Sequence, residues 1–325
     1  MRYLFPLFLL VSALLGACSH QPPHDPSLWE IDRGKLPPSN LSLKIDGLGP
    51  CTDNPDRTLH LDRQQPLTIL THGCFASSGR FRALSEVFAF HGQQTACFTY
   101  DDRDSMVQSS AELIAALQQL ATKMENKHIT IIGHSQGGLI TRKALVQERD
   151  TPLDETGLDI RLVTISAPFR GIEAAAHCGS PLARVLSLGL VVPVCYAISG
   201  GKWYEITPAS PFMRQPGSLL PQVNEHLKIV TDERNTCRRY DAEGSCLESD
   251  DIFTVAEQYH PPVDAETRVN NIEIPAGHVE IVGGPRVAPE KLIRILQDNG
   301  IMKETPASQQ ARFNTLLTQL YDLSP

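Results

Sequence analysis

The run Gly133-His134-Ser135-Gln136-Gly137 constrains this chain more than any other feature. It is a G-x-S-x-G run set between two periodic segments. Residues 128–132 form an apolar run of strand length, and a helical pattern extends from Gly137 to about residue 147. A strand-to-helix turn this tight forces its middle residue into a strained backbone conformation. Glycines two before and two after are required, because side chains there would collide with the neighbouring strand and helix. The turn lifts the Ser135 hydroxyl to the top of a sheet. It also sets the Gln136 N–H at a helix start, where the dipole favours a developing negative charge. Ser135 is thus the candidate nucleophile and the Gln136 backbone one oxyanion donor. The bland alternative is a glycine-rich turn with a surface serine; the strand before and the helix after weigh against it.

Strand and helix patterns alternate along the rest of the chain. Strands are expected at 41–45, 58–61, 66–70, 96–100, 159–165, 227–231 and 272–274. Helices are expected at 81–90, at 109–124 with Ser109 and Glu112 as a capping box, and at 289–297. A last helix carries the stripe Phe313, Leu316, Leu317, Leu320 and Tyr321. This alternation predicts an α/β fold, a mostly parallel sheet with helices on both faces. With 325 residues, 41% of them hydrophobic, the chain can bury a large core, which excludes a disordered or collagen-like polypeptide. A net charge of −8 without a basic run, and only 6% aromatic residues, argue against nucleic acid as a partner.

The N-terminus reads as an export segment. Met1-Arg2 is followed by an apolar stretch over 3–15, too short for a comfortable membrane span, and then Leu15-Gly16-Ala17-Cys18. This run resembles the lipobox of bacterial lipoproteins. The resemblance implies cleavage before Cys18, acylation of that cysteine and anchoring in the cell envelope; Ser19 behind it favours the outer membrane, facing the periplasm. Acyl chains on Cys18 would hold the protein to a membrane surface. An ordinary signal peptide with an incidental cysteine is the alternative. Residues 1–17 are thus expected as signal, 18–40, rich in proline, as a tether, and 41–325 as the folded domain. Besides Cys18 there are Cys51, Cys74, Cys97, Cys178, Cys195, Cys237 and Cys246. An oxidising compartment permits disulfides. Cys237 with Cys246 and Cys178 with Cys195 are expected to pair across their short spacers, and the odd number leaves at least one thiol free, expected to be buried.

From about residue 66 to 282 the sequence resembles the α/β-hydrolases, among them bacterial lipases and acyltransferase-like esterases. The likeness is carried by Gly133-His134-Ser135-Gln136-Gly137-Gly138 and by Ser166-Ala167-Pro168-Phe169-Arg170-Gly171, similar to the lipase segment S/T-P-H-R-G with Phe169 in place of the histidine. Pro208-Ala209-Ser210-Pro211-Phe212-Met213 also looks like a lipase motif. The resemblance implies a carboxylic ester hydrolase that acts on acyl or lipid esters through an acyl-enzyme, without cofactor or metal. It places the second oxyanion donor in the loop His72-Gly73-Cys74-Phe75, at the Cys74 N–H, with Phe75 as runner-up. It places the base at His278, after a short late strand, in preference to His134, expected to point elsewhere, or to His177, His226 or His260. The stretch 249–258 resembles the family run D-G-V-V-P-x-x-S-Q. Laid on it, Asp250 is the triad acid, with Asp251, Asp232 and Asp264 as alternatives.

The acidic turn Asp101, Asp102 and Asp104 is expected to be a capped, solvated loop. Residues 172–207 read as an insertion. Its apolar run over 183–198 is either a lid or acyl-chain wall stapled by Cys178 and Cys195, or an ordinary core helix. An acyltransferase of the same fold, in which an alcohol replaces water, and a non-catalytic binding lipoprotein are the rival functions; oligomeric state is not legible.

Overall fold

The structure is a computed structural model and describes residues 30–147, 153, 155–241 and 243–323. The signal, Cys18 and most of the tether lie outside the described residues.

The strands are β1 (Leu41–Leu43), β2 (Leu48–Gly49), β3 (Leu59–Leu61), β4 (Leu67–Thr71), β5 (Gln94–Phe98), β6 (His128–His134), β7 (Asp159–Ile165), β8 (Val223–Asp232), β9 (Cys237–Tyr240), β10 (Cys246–Ser249) and β11 (Val269–Pro275). The longer helices are α1 (Arg82–Phe90), α2 (Met106–Lys123), α3 (Gln136–Ala144), α4 (Pro181–Leu186), α5 (Val191–Ser199), α6 (Glu290–Asp298) and α7 (Gln310–Tyr321). Seven strands form one sheet in the order β11-β8-β7-β6-β4-β5-β2, and β1-β3 and β9-β10 form separate antiparallel ribbons. Within the large sheet only the β2–β5 pair is antiparallel.

Period-two alternation divides the core between the two faces of this sheet. Ile69, Ala96, Ile131 and Leu162 pack with Leu113 and Leu117 of α2 and Ile140 of α3. Their neighbours Leu70, Cys97, Ile132 and Val163 face the other way, onto Phe88 of α1, Leu292 of α6 and Phe313 of α7. Both faces being covered, β4 is buried at every residue, as a central parallel strand should be. The strand order reverses direction between β4 and β6. Connections leave those two strands toward opposite sides and open a crevice at their carboxyl ends, where open α/β sheets bind ligands.

The expected strands and helices all form, with shifted ends. The capping box at Ser109 does not. Helix α2 begins three residues earlier at Met106, capped by Ser105, and Ser109 is buried inside it. The reason is a distant carboxylate: Glu205 accepts the Ser105 hydroxyl and the Met106 N–H, both at 2.6 Å, and so satisfies the helix start from outside. Three disulfides form, Cys178–Cys195 and Cys237–Cys246 as the spacing suggests, and Cys51–Cys97 linking the end of β2 to β5. Among the described residues Cys74 is the free cysteine; it is half-buried rather than buried.

Candidate active site

Ser135 stands between the end of β6 and the start of α3 with φ 55° and ψ −124°, a left-handed conformation that non-glycine residues seldom adopt. The surrounding glycines hold it there. A Cβ on Gly133 would lie 2.5 Å from the Gly137 carbonyl oxygen, and one on Gly137 2.4 Å from that of His72. A Cβ on Gly73 would lie 2.9 Å from Ser135 Cβ, so only glycine lets the loop after β4 run against the nucleophile. Ser135 occupies the N-cap position of α3, yet its side chain makes no capping bond, which leaves the hydroxyl available.

The loop after β4 and the start of α3 meet at one corner. Phe75 N–H, the runner-up oxyanion donor, donates to Asp102 Oδ2 at 2.6 Å and is thereby engaged, which leaves Cys74 N–H as the candidate beside Gln136 N–H. Phe75, with φ 54°, is 78% exposed. The turn at Asp101, Asp102 and Asp104 is therefore not merely solvated. Its middle residue also accepts, through its carbonyl, the Gln136 side-chain amide at 3.2 Å. Beneath the loop, His72 stacks on Tyr100 with centroids 4.4 Å apart. Burial lowers the His72 pKa and raises the Cys74 and Tyr100 pKa values, so all three are neutral near pH 7.

His278 follows β11 in the loop Gly277-His278-Val279. Its Nδ1 lies 2.8 Å from Glu233 Oε1, and the Glu233 side chain is fully buried. Glu233 is the first residue after β8. Oε1 also accepts the Thr231 hydroxyl at 2.9 Å, while Oε2 accepts the N–H groups of Ile252 at 2.7 Å and Phe253 at 2.8 Å. A carboxylate held from both sides fixes the imidazole with its proton on Nδ1, leaving the Nε2 lone pair to act as base. His134, expected to point away, braces this loop. Its Nε2 is 2.8 Å from the His278 carbonyl oxygen and the two rings lie 4.7 Å apart. Burial, and then the neighbouring His278, push the His134 pKa well below its usual value, so it is neutral and donates from Nε2.

Asp250, the acid expected from the resemblance, reaches the same corner but not the imidazole. Its carboxylate accepts the backbone N–H of Val279 at 3.0 Å and of Glu280 at 2.9 Å and pairs with Arg238 at 2.9 Å. Its carbonyl accepts His278 N–H at 2.9 Å. A Cβ on Gly277 would lie 2.1 Å from Asp250 Oδ2, so this packing depends on glycine. Asp250 thus shapes the histidine loop, and Glu233 orients the ring. The alternatives lie elsewhere: Asp251 is exposed, Asp232 pairs with Arg234 and Asp264 with Lys228. Reading glutamate on a par with aspartate at the end of the late strand would have found Glu233, because alternation from the inward Thr231 turns Asp232 outward and Glu233 back in. Of the other histidines, His177 is exposed, His226 is buried against Thr164 and His260 precedes a short turn of helix.

Residues 63–187, less than half of the chain, match the family described as putative serine esterase (DUF676). Among solved structures, the mature form of the Bacillus licheniformis lipase BlEst2 is 17% identical over 78% of this chain and 97% of that one, with a TM-score of 0.50. The propeptide form of the same lipase is 16% identical over 80% of this chain, with a TM-score of 0.52, and this chain covers 55% of it. No curated protein matches the sequence. Sheet order, elbow and structural likeness together define the class: the chain has the α/β-hydrolase fold.

Proposed function

We propose that the protein is a serine hydrolase of carboxylic esters with Ser135, His278 and Glu233 as its triad. The observation that carries this reading is the Glu233–His278 bond at 2.8 Å beside a strained serine elbow. In the reaction, His278 Nε2 takes the proton from Ser135 Oγ as the oxygen attacks the ester carbonyl. The oxyanion is received by the N–H groups of Cys74 and Gln136. Collapse breaks the acyl–oxygen bond, and His278 returns the proton to the leaving alcohol. Water then attacks the acyl-enzyme with the same histidine as base, releasing the acid and restoring Ser135. Glu233 stabilises the imidazolium that forms in each step.

Acyl or lipid esters suit the insertion at 172–207. Its ends reach the core through Ile172 and Ile206, but its central apolar run does not: Leu182, Val185, Leu186, Leu190, Val194 and Ile198 are exposed, and Leu188 is 91% exposed. Exposed apolar side chains in this number favour contact with other apolar matter, here the acyl chains of a lipid assembly. The lid or acyl-wall reading of the insertion is retained on this ground. Three disulfides suit an exported protein, in keeping with acylation at Cys18 and attachment to the outer membrane facing the periplasm.

The test is labelling with a fluorophosphonate probe together with hydrolysis of p-nitrophenyl butyrate. Wild-type protein is expected to label and turn over, and Ser135→Ala to do neither. A wild type inert to both, or a Ser135→Ala variant that still labels, overturns the reading. Cys18→Ser is expected to abolish incorporation of labelled palmitate and release the protein from membranes.

A further inference from the structure

Lys202 is a buried cation that the triad chemistry does not use. It belongs to a short 3-10 turn, Gly200–Trp203, at the root of the insertion, and only 4% of it is exposed. Its ammonium donates to Cys74 Sγ at 3.1 Å, to Gln136 Oε1 and to the Asp102 carbonyl oxygen. The Cys74 thiol also meets Gln136 Oε1, and the Gln136 amide nitrogen donates to the Asp102 carbonyl. One ammonium therefore gathers the side chains of the two residues whose backbone N–H groups form the oxyanion site, together with the turn that holds Phe75.

The charge is only partly compensated. Among the described residues the carboxylate against it is Asp102, at 4.0 Å, and that group also accepts Phe75 N–H. The thiol is neutral, since burial raises its pKa. Burying an ammonium among neutral acceptors costs free energy, so its presence here points to a use for the charge. The ammonium is also rigidly placed. Gly201 N–H donates to the Arg103 carbonyl at 2.6 Å, a Cβ on Gly200 would lie 2.2 Å from that same oxygen, and Arg103 donates to the carbonyls of Ala197 and Ile198 at 2.9 and 3.2 Å.

We propose that Lys202 is a positioning residue for the oxyanion site: it locks the Cys74 and Gln136 peptides at a fixed spacing and biases their surroundings toward negative charge. The inference rests on the triad reading above. It makes the insertion part of the catalytic geometry, since the residue that sets the oxyanion donors is supplied from the insertion and not from the sheet.

The test compares Lys202→Met, which keeps length without charge, and Lys202→Arg, which keeps the charge. Turnover of p-nitrophenyl butyrate is normalised to the serine titrated by the fluorophosphonate, and inhibition by an alkyl trifluoromethyl ketone, whose hemiketal oxygen occupies the oxyanion site, is measured beside it. Removal of one oxyanion donor typically costs about 100–1000-fold, so loss of a group that positions two such donors is expected to lower kcat per active serine by about 10–100-fold. KM should stay within about twofold, ketone affinity should weaken in parallel with kcat/KM, and Lys202→Arg should recover part of both. A merely structural lysine would lower the titrated fraction and the melting temperature while leaving kcat per active serine and ketone affinity at wild-type values; that result overturns the proposal. If Lys202→Met does not fold, Gln136→Met, which keeps the backbone N–H and removes one of the three acceptors of Lys202, is expected to lower kcat and ketone affinity in the same direction, and wild-type values there overturn it equally. A wild type that neither labels nor turns over defeats the triad reading itself, a result distinct from an active wild type matched by Lys202→Met.

Discussion

Helices α3 and α5 are each nine residues long, and their burial runs opposite to their hydropathy. Helix α3, QGGLITRKA, is polar in four of its nine positions and buried in all but Lys143. Helix α5, VVPVCYAIS, is almost wholly apolar and buries only Cys195. The polar helix is inside because it packs on one face of the sheet directly after the serine, and its polar groups find partners there. Arg142 donates to the carbonyls of Pro216 and Gly217 and pairs with Glu266, while Gln136 joins the corner at Asp102. The apolar helix is outside, tied by the Cys178–Cys195 disulfide and by Arg103 to its last carbonyls. Burial here follows what each segment must hold in place, and the apolar segment is left facing outward.

The strongest way to sharpen the comparison is at the buried side. Ser135→Ala is expected to lower kcat for a soluble ester by about 10^6-fold, the scale of losing a triad nucleophile. Glu233→Gln is expected to cost roughly 10^4-fold with the fold intact, because a neutral amide no longer favours the imidazole proton on Nδ1. Asp250→Asn separates the two acids. It weakens the loop that carries His278 by about 1–3 kcal/mol, read as a lower urea midpoint, but leaves kcat per active serine within about tenfold. If Asp250→Asn is the more severe catalytic lesion, the assignment of Glu233 is wrong.

A smaller effect tests the elbow as packing. Gly137→Ala sets a methyl 2.4 Å from the His72 carbonyl and 2.5 Å from that of Thr71, both backbone atoms of the loop and strand beneath. Neither can yield without moving β4 or the oxyanion loop. The expected cost is about 1–3 kcal/mol in urea unfolding, with esterase activity lost alongside. An alanine variant of wild-type stability and rate would show that α3 is not pressed onto the sheet as described.

Much of this was legible in the sequence because it rests on local pattern. The elbow is specified by glycines that steric contact demands, and the strands by apolar runs that a doubly covered sheet requires. His278, the proposed base, comes from the family resemblance, because chain order alone leaves His177, His226 and His260 beside it. The acid was not legible in the same way. Asp250 and Glu233 both end in one corner, and only side-chain alternation past the end of β8 decides which of them meets the ring. The helix start at Met106 was missed because its partner, Glu205, lies 99 residues along the chain. The exposure of α5 was open for a similar reason: an apolar helix looks the same in sequence whether its partner is its own core or another body.

The buried side should also betray itself through pH. Burial lowers the pKa of His72, His91, His134, His226 and His260 in the folded protein. Each binds a proton more readily when unfolded, so the stability it contributes is complete above the unfolded pKa of about 6.5 and is lost as pH falls through and below that value. Glu86, whose pKa burial raises, opposes this trend. The melting temperature is therefore expected to decline from pH 7.5 to 5.5. A flat or rising profile over that range would mean that these rings are hydrated in solution.

The smallest effect belongs to α5. Leu190→Gln and Val194→Gln replace side chains that are 68% and 55% exposed, so together they should shift urea stability by no more than about 0.5 kcal/mol. Turnover of p-nitrophenyl butyrate in solution should be unchanged, because neither residue lies at the Ser135 corner. Hydrolysis of esters carried in phospholipid vesicles should fall, together with flotation of the protein on those vesicles, since the variants remove apolar area that would otherwise leave water on contact. Destabilisation well beyond that bound would mean that α5 packs as core in solution, and the contrast with α3 would vanish. Equal loss on soluble and vesicle-borne esters would instead place α5 inside the ester-binding cleft, with its apolar face turned to the acyl chain and not to the membrane.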